Sequence, residues 1–190
     1  AAAASAAADS SVPAAFFDQS VMAIGLAVAE DGQEAATALA AFESAVEAAE
    51  VCAIDAEWTP DELAGHRSRV ALLQLAFGPP PGRVFLVDWL DVATGPVSLA
   101  VARLFRGDAL ILAFGIEQDL PRIGLDVPVR RVLDLQTVGA SLLRRPMPSL
   151  GDVVAAVLGR PLAKSKALQR SDWEQRPLSA QQQAYAAADA

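Results

Sequence analysis

Residues 51–58 read V-C-A-I-D-A-E-W, an apolar run passing directly into an acid, a small residue, a second acid and a tryptophan. A run of this length containing Val and Ile predicts a buried strand. Side chains alternate faces along a strand, so Asp55 and Glu57 share one face and Ala56 takes the other. Two carboxylates side by side at the end of a buried strand repel each other and are poorly solvated. Either one takes up a proton, or a bound divalent cation removes the conflict. The stretch by itself leaves two readings open: a metal site, or a strand that ends in solvated acids.

The remainder of the chain supplies the elements around this strand. Residues 21–29 predict a strand that ends at the Asp31-Gly32 turn signal, and residues 33–50 a helix, with Leu39, Phe42 and Val46 at three- and four-residue steps. Residues 58–69 are polar and turn-forming, and they contain His66, which reads as a solvated loop residue. Residues 69–77 and 83–89 predict two strands joined by a tight hairpin across Gly78-Pro79-Pro80-Pro81-Gly82. Then come a helix over 97–105, a strand over 110–114, a short helix over 117–123, a strand over 132–135 and a helix over 136–144. Ser149 and Asp152 form a capping box at the start of another helix, which Gly159 ends. Residues 159–176 form a basic loop, and Ser179 caps a last helix that places Tyr185 and Asp189 four apart on one face. Strands first, then strands alternating with helices, predict an α/β fold: a mixed sheet, three antiparallel strands followed by parallel ones, flanked by helices.

At 190 residues the chain fits one domain. Residues 1–19 read as a mobile, low-complexity Ala-rich leader, and residues 20–190 as the domain, cut short in its last helix just past Asp189. The leader has no Arg and shows no organellar transit pattern. The apolar run over 21–29 is far too short to span a bilayer, so no membrane partner is expected and an intracellular location is. The single cysteine, Cys52, excludes an intramolecular disulfide and a Cys-based zinc site, and its place in the strand makes it a packed core thiol. A net charge of −8 weighs against a polyanionic partner, but the charge is unevenly spread. Residues 1–66 hold twelve acids and no Lys or Arg, whereas residues 67–190 hold eleven acids against all fifteen bases, a net +4.

Besides Asp55 and Glu57, two acids occupy telling positions: Asp119 in a helix that follows a strand, and Asp189 on the final helix. Four carboxylates from three distant segments suit a pair of hard divalent cations, which about 3.5–4 Å apart can drive in-line phosphoryl displacement. Spacing does not show that the segments converge. The motifs do more. I-D-A-E-W (54–58), A-F-G-I-E-Q-D-L-P-R (113–122) and Q-Q-A-Y-A-A-A-D-A (182–190) occur in order, with L-L-Q-L-A (72–76) and S-D-W-E-Q-R-P-L-S (171–179) between them. From about residue 21 to 190 the chain resembles the DEDD superfamily of 3′–5′ exonucleases, specifically the tyrosine-bearing DEDDy branch that includes the RNase D, Werner-syndrome and mut-7-like exonuclease domains.

The resemblance implies a ribonuclease H-like fold and two divalent cations, Mg²⁺ or Mn²⁺, bound by Asp55, Glu57, Asp119 and Asp189. It implies that Tyr185 positions the attacking water. It also implies hydrolysis of single-stranded DNA or RNA from the 3′ end, releasing nucleoside 5′-monophosphates. A phenol with an ordinary pKa of about 10 is a poor base at neutral pH, so orientation is the expected role. Trp58 and Phe114 flank catalytic positions and are candidate contacts to the terminal nucleotide, with core packing as the alternative. Lys164 and Lys166, the two lysines, are candidates to guide the phosphate backbone, and Trp173 is expected to pack under their loop. The alternative function is a non-catalytic subunit that keeps the fold as a nucleic-acid-binding or structural module in a larger assembly.

Overall fold

The computed structural model describes residues 20–24, 32–78, 82–92, 94–162 and 165–190. Six strands form one sheet in the order β1-β4-β3-β2-β5-β6. Strand β2 (Val51–Glu57) forms in the stretch 51–58, where the sequence predicts a buried strand. It alternates as the sequence requires: Cys52, Ile54 and Ala56 are buried on one face, and Asp55 and Glu57 stand on the other. β3 (Leu72–Phe77) pairs antiparallel with β2, and β4 (Arg83–Asp88) antiparallel with β3. β5 (Leu110–Ala113) and β6 (Val132–Asp134) continue the other side in parallel.

The expected three antiparallel strands followed by parallel ones are therefore present, as β2 to β6. β1 (Ser20–Ile24) is an addition to that plan, because it lies parallel to β4 at the outer edge. A parallel pair is not closed by a tight turn, and β2 and β3 come between β1 and β4 in the chain. The rest of the strand expected over 21–29 lies outside the described residues, as do residues 1–19.

Helices α1 (Gly32–Glu47) and α4 (Pro96–Arg106) cover the Cys52 face of the sheet. There Phe42, Phe77 and Phe85 meet edge to face with ring centroids 5.2–6.3 Å apart. Burying a side chain such as Phe85 is worth about 1.5–3 kcal/mol relative to exposure, so this face carries much of the fold's stability. α1 stops at Glu47, three residues short of expectation, because the chain must become extended by Val51 to enter β2. Cys52 is fully buried here, and burial pushes its thiol pKa up, as expected of a packed and unreactive cysteine.

The opposite face is covered by α9 (Ala180–Asp189) and by Trp173, which is fully buried against Leu72, Val84, Leu86 and Tyr185. Two further helices, α6 (Leu135–Leu143) and α7 (Leu150–Leu158), follow β6. The capping box of Ser149 and Asp152 and the left-handed Gly159 terminus are as expected. Among the described residues there are also four single-turn helices: α2 (Asp61–Ala64), α3 (Trp89–Val92), α5 (Leu120–Ile123) and α8 (Lys166–Gln169). α2 and α8 sit inside stretches expected to be loops, because a single turn is too short to show a helical period. α5 begins three residues later than predicted, with Asp119 as its N-cap. Among the described residues no helix is long and apolar enough to cross a membrane.

Candidate active site

The carboxylates of Asp55, Glu57 and Asp189 converge, with one oxygen of each lying within 4.8 Å of the others. Two come from the end of β2 and the third from the end of α9, so the geometry depends on how the last helix is fixed to the sheet. Two polar knots fix it. Thr59, two residues past Glu57, donates its hydroxyl to Asp172 (3.0 Å) and accepts the backbone N–H groups of Trp173 (3.0 Å) and Glu174 (3.2 Å). Arg176 forks onto Asp88 at the end of β4 and also donates to the carbonyls of Ala71 and Trp173. Gln182 then ties the helix start to the same loop, donating to Ser171 and to the Asp172 carbonyl while accepting from Ser179. These contacts give S-D-W-E-Q-R-P-L-S a physical role: it is the bracket that sets α9 over Asp55 and Glu57.

Asp119 is not in the three-carboxylate cluster, but it lines the same cleft of about 910 Å³. It is only 7% exposed, and its pKa is pushed up to about 7, first by burial and then by the nearby charge of Asp134. It is not the solvated helix acid that its position would ordinarily suggest. Asp134 holds the adjoining turn, accepting from the N–H of Gly115 (3.0 Å) and of Gln136 (2.8 Å). Gly115 has φ +77°, a conformation that a side chain would strain. The turn aims Phe114 into the cleft.

Tyr185 lies one turn before Asp189, with its hydroxyl buried and without a well-formed hydrogen bond. Burial chiefly, then the charges of Asp189 and Glu57, raise its pKa well above the ordinary phenol value. The group stays protonated at any physiological pH.

Trp58 is half-buried at the cleft wall, with the guanidinium carbon of Arg122 4.7 Å from its ring centroid. That stacking is stabilised in turn by Asp61, whose two oxygens accept from Arg122 at 2.9 and 2.8 Å. The pairing holds the Asp61 carboxyl down at about 2. Lys166 and Arg170 also line the cleft, with Arg170 4.0 Å from Glu62. Lys164 lies outside the described residues. His66 is exposed and its ring lies 3.0 Å from the carbonyl of Ala64, away from the carboxylates.

Sequence reasoning missed Thr59, and it gave no individual role to Gln74, Arg122 or Arg176, although all three lie in the motifs. Arg176, part of the basic loop, is engaged by Asp88. Gln74 is fully buried, and neither polar atom of its side chain has a hydrogen-bond partner among the described residues. Burying such a group unpaired costs about 1–3 kcal/mol. A polar residue in the middle of an otherwise apolar strand was the signal available for it.

The donor set fits hard divalent cations. Three carboxylates share a small volume, a fourth, partly desolvated, lines the same cleft, and all are oxygen ligands. The sheet order and the acidic cluster define a ribonuclease H-like nuclease fold. The chain belongs to the 3′–5′ exonuclease family, whose family model matches residues 33–190. It is 33% identical to the human exonuclease mut-7 homolog across 74% of this chain and 19% of that protein. It is also 31% identical to the mouse bifunctional 3′–5′ exonuclease/ATP-dependent helicase WRN, across 74% of this chain and 10% of that protein. The chain thus spans a fifth or less of the length of these relatives. Among solved structures it resembles Escherichia coli RNase D, an exoribonuclease, with a TM-score of 0.65 and 27% identity, covering 80% of this chain and 39% of that one. The fold also matches the Aedes aegypti Nibbler EXO domain, with a TM-score of 0.68 and 24% identity, covering 92% and 83% of the two chains.

Proposed function

We infer that this chain is a metal-dependent 3′–5′ exonuclease that hydrolyses the terminal phosphodiester of a single-stranded nucleic acid. The observation that carries this reading is the convergence of Asp55, Glu57 and Asp189 within 4.8 Å, in a cleft that also holds Asp119 and Tyr185. Asp55, Glu57, Asp119 and Asp189 would hold two divalent cations, Mg²⁺ or Mn²⁺. When bound, these supply a more acidic water and neutralise charge developing on the phosphate.

The protein's own groups do the rest. Tyr185 keeps its proton, so it orients the attacking water by hydrogen bonding and does not serve as the base. Trp58, braced from one side by Arg122, offers a rigid aromatic surface to the terminal base, and Phe114 lines the same cleft. Lys166 and Arg170 meet the phosphates that follow. The water oxygen bonds to phosphorus, the bond from phosphorus to the preceding 3′-oxygen breaks, and that oxygen leaves with a proton. The products are a nucleoside 5′-monophosphate and a chain shorter by one residue.

The test is degradation of 5′-labelled single-stranded DNA and RNA with Mn²⁺, with Mg²⁺ and with chelator, using Asp55→Ala as control. A ladder that shortens from the 3′ end, needs metal and vanishes in Asp55→Ala is the expected result. Intact substrate in the presence of folded, metal-supplied protein would leave a nucleic-acid-binding or structural module as the reading.

A further inference from the structure

Gln74 occupies a place in the sheet that its chemistry does not suit. It is 0% exposed, and both its amide nitrogen and its amide oxygen lack a hydrogen-bond partner among the described residues. Register places it directly opposite Asp55 in the antiparallel β2–β3 pair, and opposite Leu86 on the β3–β4 side. Residues directly opposite in such a pair project from the same face with Cβ atoms about 4.5–5.5 Å apart. Gln74 therefore stands on the carboxylate face, beside Asp55.

The surroundings narrow what its amide can serve. Leu72 and Ala76 flank it along β3 on the same face, and Leu86 follows across the strand. Above it lies the apolar cluster of Trp173, Leu178, Tyr185 and Ala186. On this face Asp55 is the polar neighbour that register sets beside it. Asp55 is already oriented from one side, since its Oδ1 accepts the N–H of Ala56 at 2.9 Å. A leucine would fill the Gln74 site at no polar cost.

We propose that Gln74 is a positioning residue for Asp55: its carboxamide NH₂, set beside Asp55 by register and without a partner among the described residues, takes up the Asp55 carboxylate from the strand side when a divalent cation binds, setting the direction in which that carboxylate meets the ion. This rests on the metal reading of the site given above. The amide touches neither substrate nor water. Its role is to keep a ligand aimed while the neighbouring carboxylates of Glu57 and Asp189 repel it.

The test uses the full chain with Gln74→Leu and Gln74→Met, two apolar side chains of similar size. Three quantities are measured: the unfolding temperature in chelator, Mn²⁺ affinity by titration calorimetry, and the Mn²⁺ concentration that half-saturates cleavage. The expected result is an unfolding temperature equal to or above that of the unaltered chain, together with Mn²⁺ affinity weakened about 10- to 100-fold. A purely structural residue would show the reverse. Mn²⁺ affinity within about threefold of the unaltered chain in either cooperatively folded variant overturns the proposal. So does loss of cooperative folding in both variants, which would make Gln74 a packing residue. If the unaltered chain itself takes up no Mn²⁺, the metal reading falls first, and the two failures are told apart.

Discussion

Arg176 grips Asp88 across 88 residues of chain, donating from Nη2 to Oδ1 at 2.7 Å and from Nε to Oδ2. The pair joins the end of β4 to the bracket that carries α9, with Asp88 buried at 4% exposure. Removing one member of such a pair leaves a buried charge uncompensated, at a cost of about 3–5 kcal/mol. Arg176→Ala should therefore lower the denaturant midpoint sharply, and Asp88→Asn on top of it should recover part of the loss. Chemical denaturation of the two variants checks this. Additive losses would show that the pair does not act as one unit.

Asp119 gives the metal-free protein a pH dependence. Its folded pKa of about 7 lies above the ordinary 3.8, so the fold favours the protonated form. The stabilisation is complete below the ordinary value and is lost as pH rises through 7. In chelator, the unfolding temperature should fall between about pH 4 and about pH 7 and level off above that, and Asp119→Asn should flatten that slope. Asp61, held down at about 2, exchanges its proton below this window.

The crowding of Asp55, Glu57 and Asp189 sets metal binding against metal-free stability. Asp189→Asn removes one of three mutually repelling charges. Without metal it should unfold about 2–4 °C higher than the unaltered chain if the relief amounts to about 1 kcal/mol. The stabilisation that Mn²⁺ confers on the unaltered chain should shrink or vanish in the variant. Paired thermal melts with Mn²⁺ and with chelator measure both effects.

Trp58 is held from one side by Arg122, and its contribution should be to binding more than to turnover. Trp58→Ala should raise KM for an oligonucleotide by roughly 5- to 150-fold, the equivalent of about 1–3 kcal/mol of stacking, with a smaller change in kcat. Asp61→Ala, which frees Arg122 without touching the indole, should give a weaker version of the same change. Steady-state kinetics of both variants test the order.

Lys166 and Arg170 should act through charge alone. Replacing both with Gln should weaken binding to every single-stranded sequence alike. The slope of log affinity against log salt should flatten by about 1.4 in magnitude, at about 0.7 per phosphate contact. Binding isotherms at several salt concentrations, on a catalytically silent background such as Asp55→Ala, provide the measurement.

Much of the sheet was legible in the sequence because its strands bury one continuous apolar face. The strand Val51–Glu57 could be read from its apolar run. The family resemblance carried by the motifs implied one site for Asp55, Glu57, Asp119 and Asp189, of which the first, second and fourth cluster. The single-turn helices α2 and α8 were not legible, since four residues carry no period. Nor was the raised pKa of Asp119, which comes first from its burial in the fold and then from the charge of Asp134, fifteen residues later in the chain. Thr59 and Arg176 illustrate the same limit. Each works through partners more than 80 residues away, and nothing local distinguishes a knot from a surface residue.

The pairing of Asp55 with Gln74 and of Glu57 with Leu72 has a consequence for how the chain avoids error. Any one-residue slip of β2 would turn Asp55 and Glu57 into the packing of Phe42 and Phe85, and expose Cys52, Ile54 and Ala56 in their place. Mispaired chains would thus carry two unsolvated acids inside an aromatic cluster and could not persist. The greasy side of the strand proofreads the reactive side: a molecule that folds at all has already placed its carboxylates correctly.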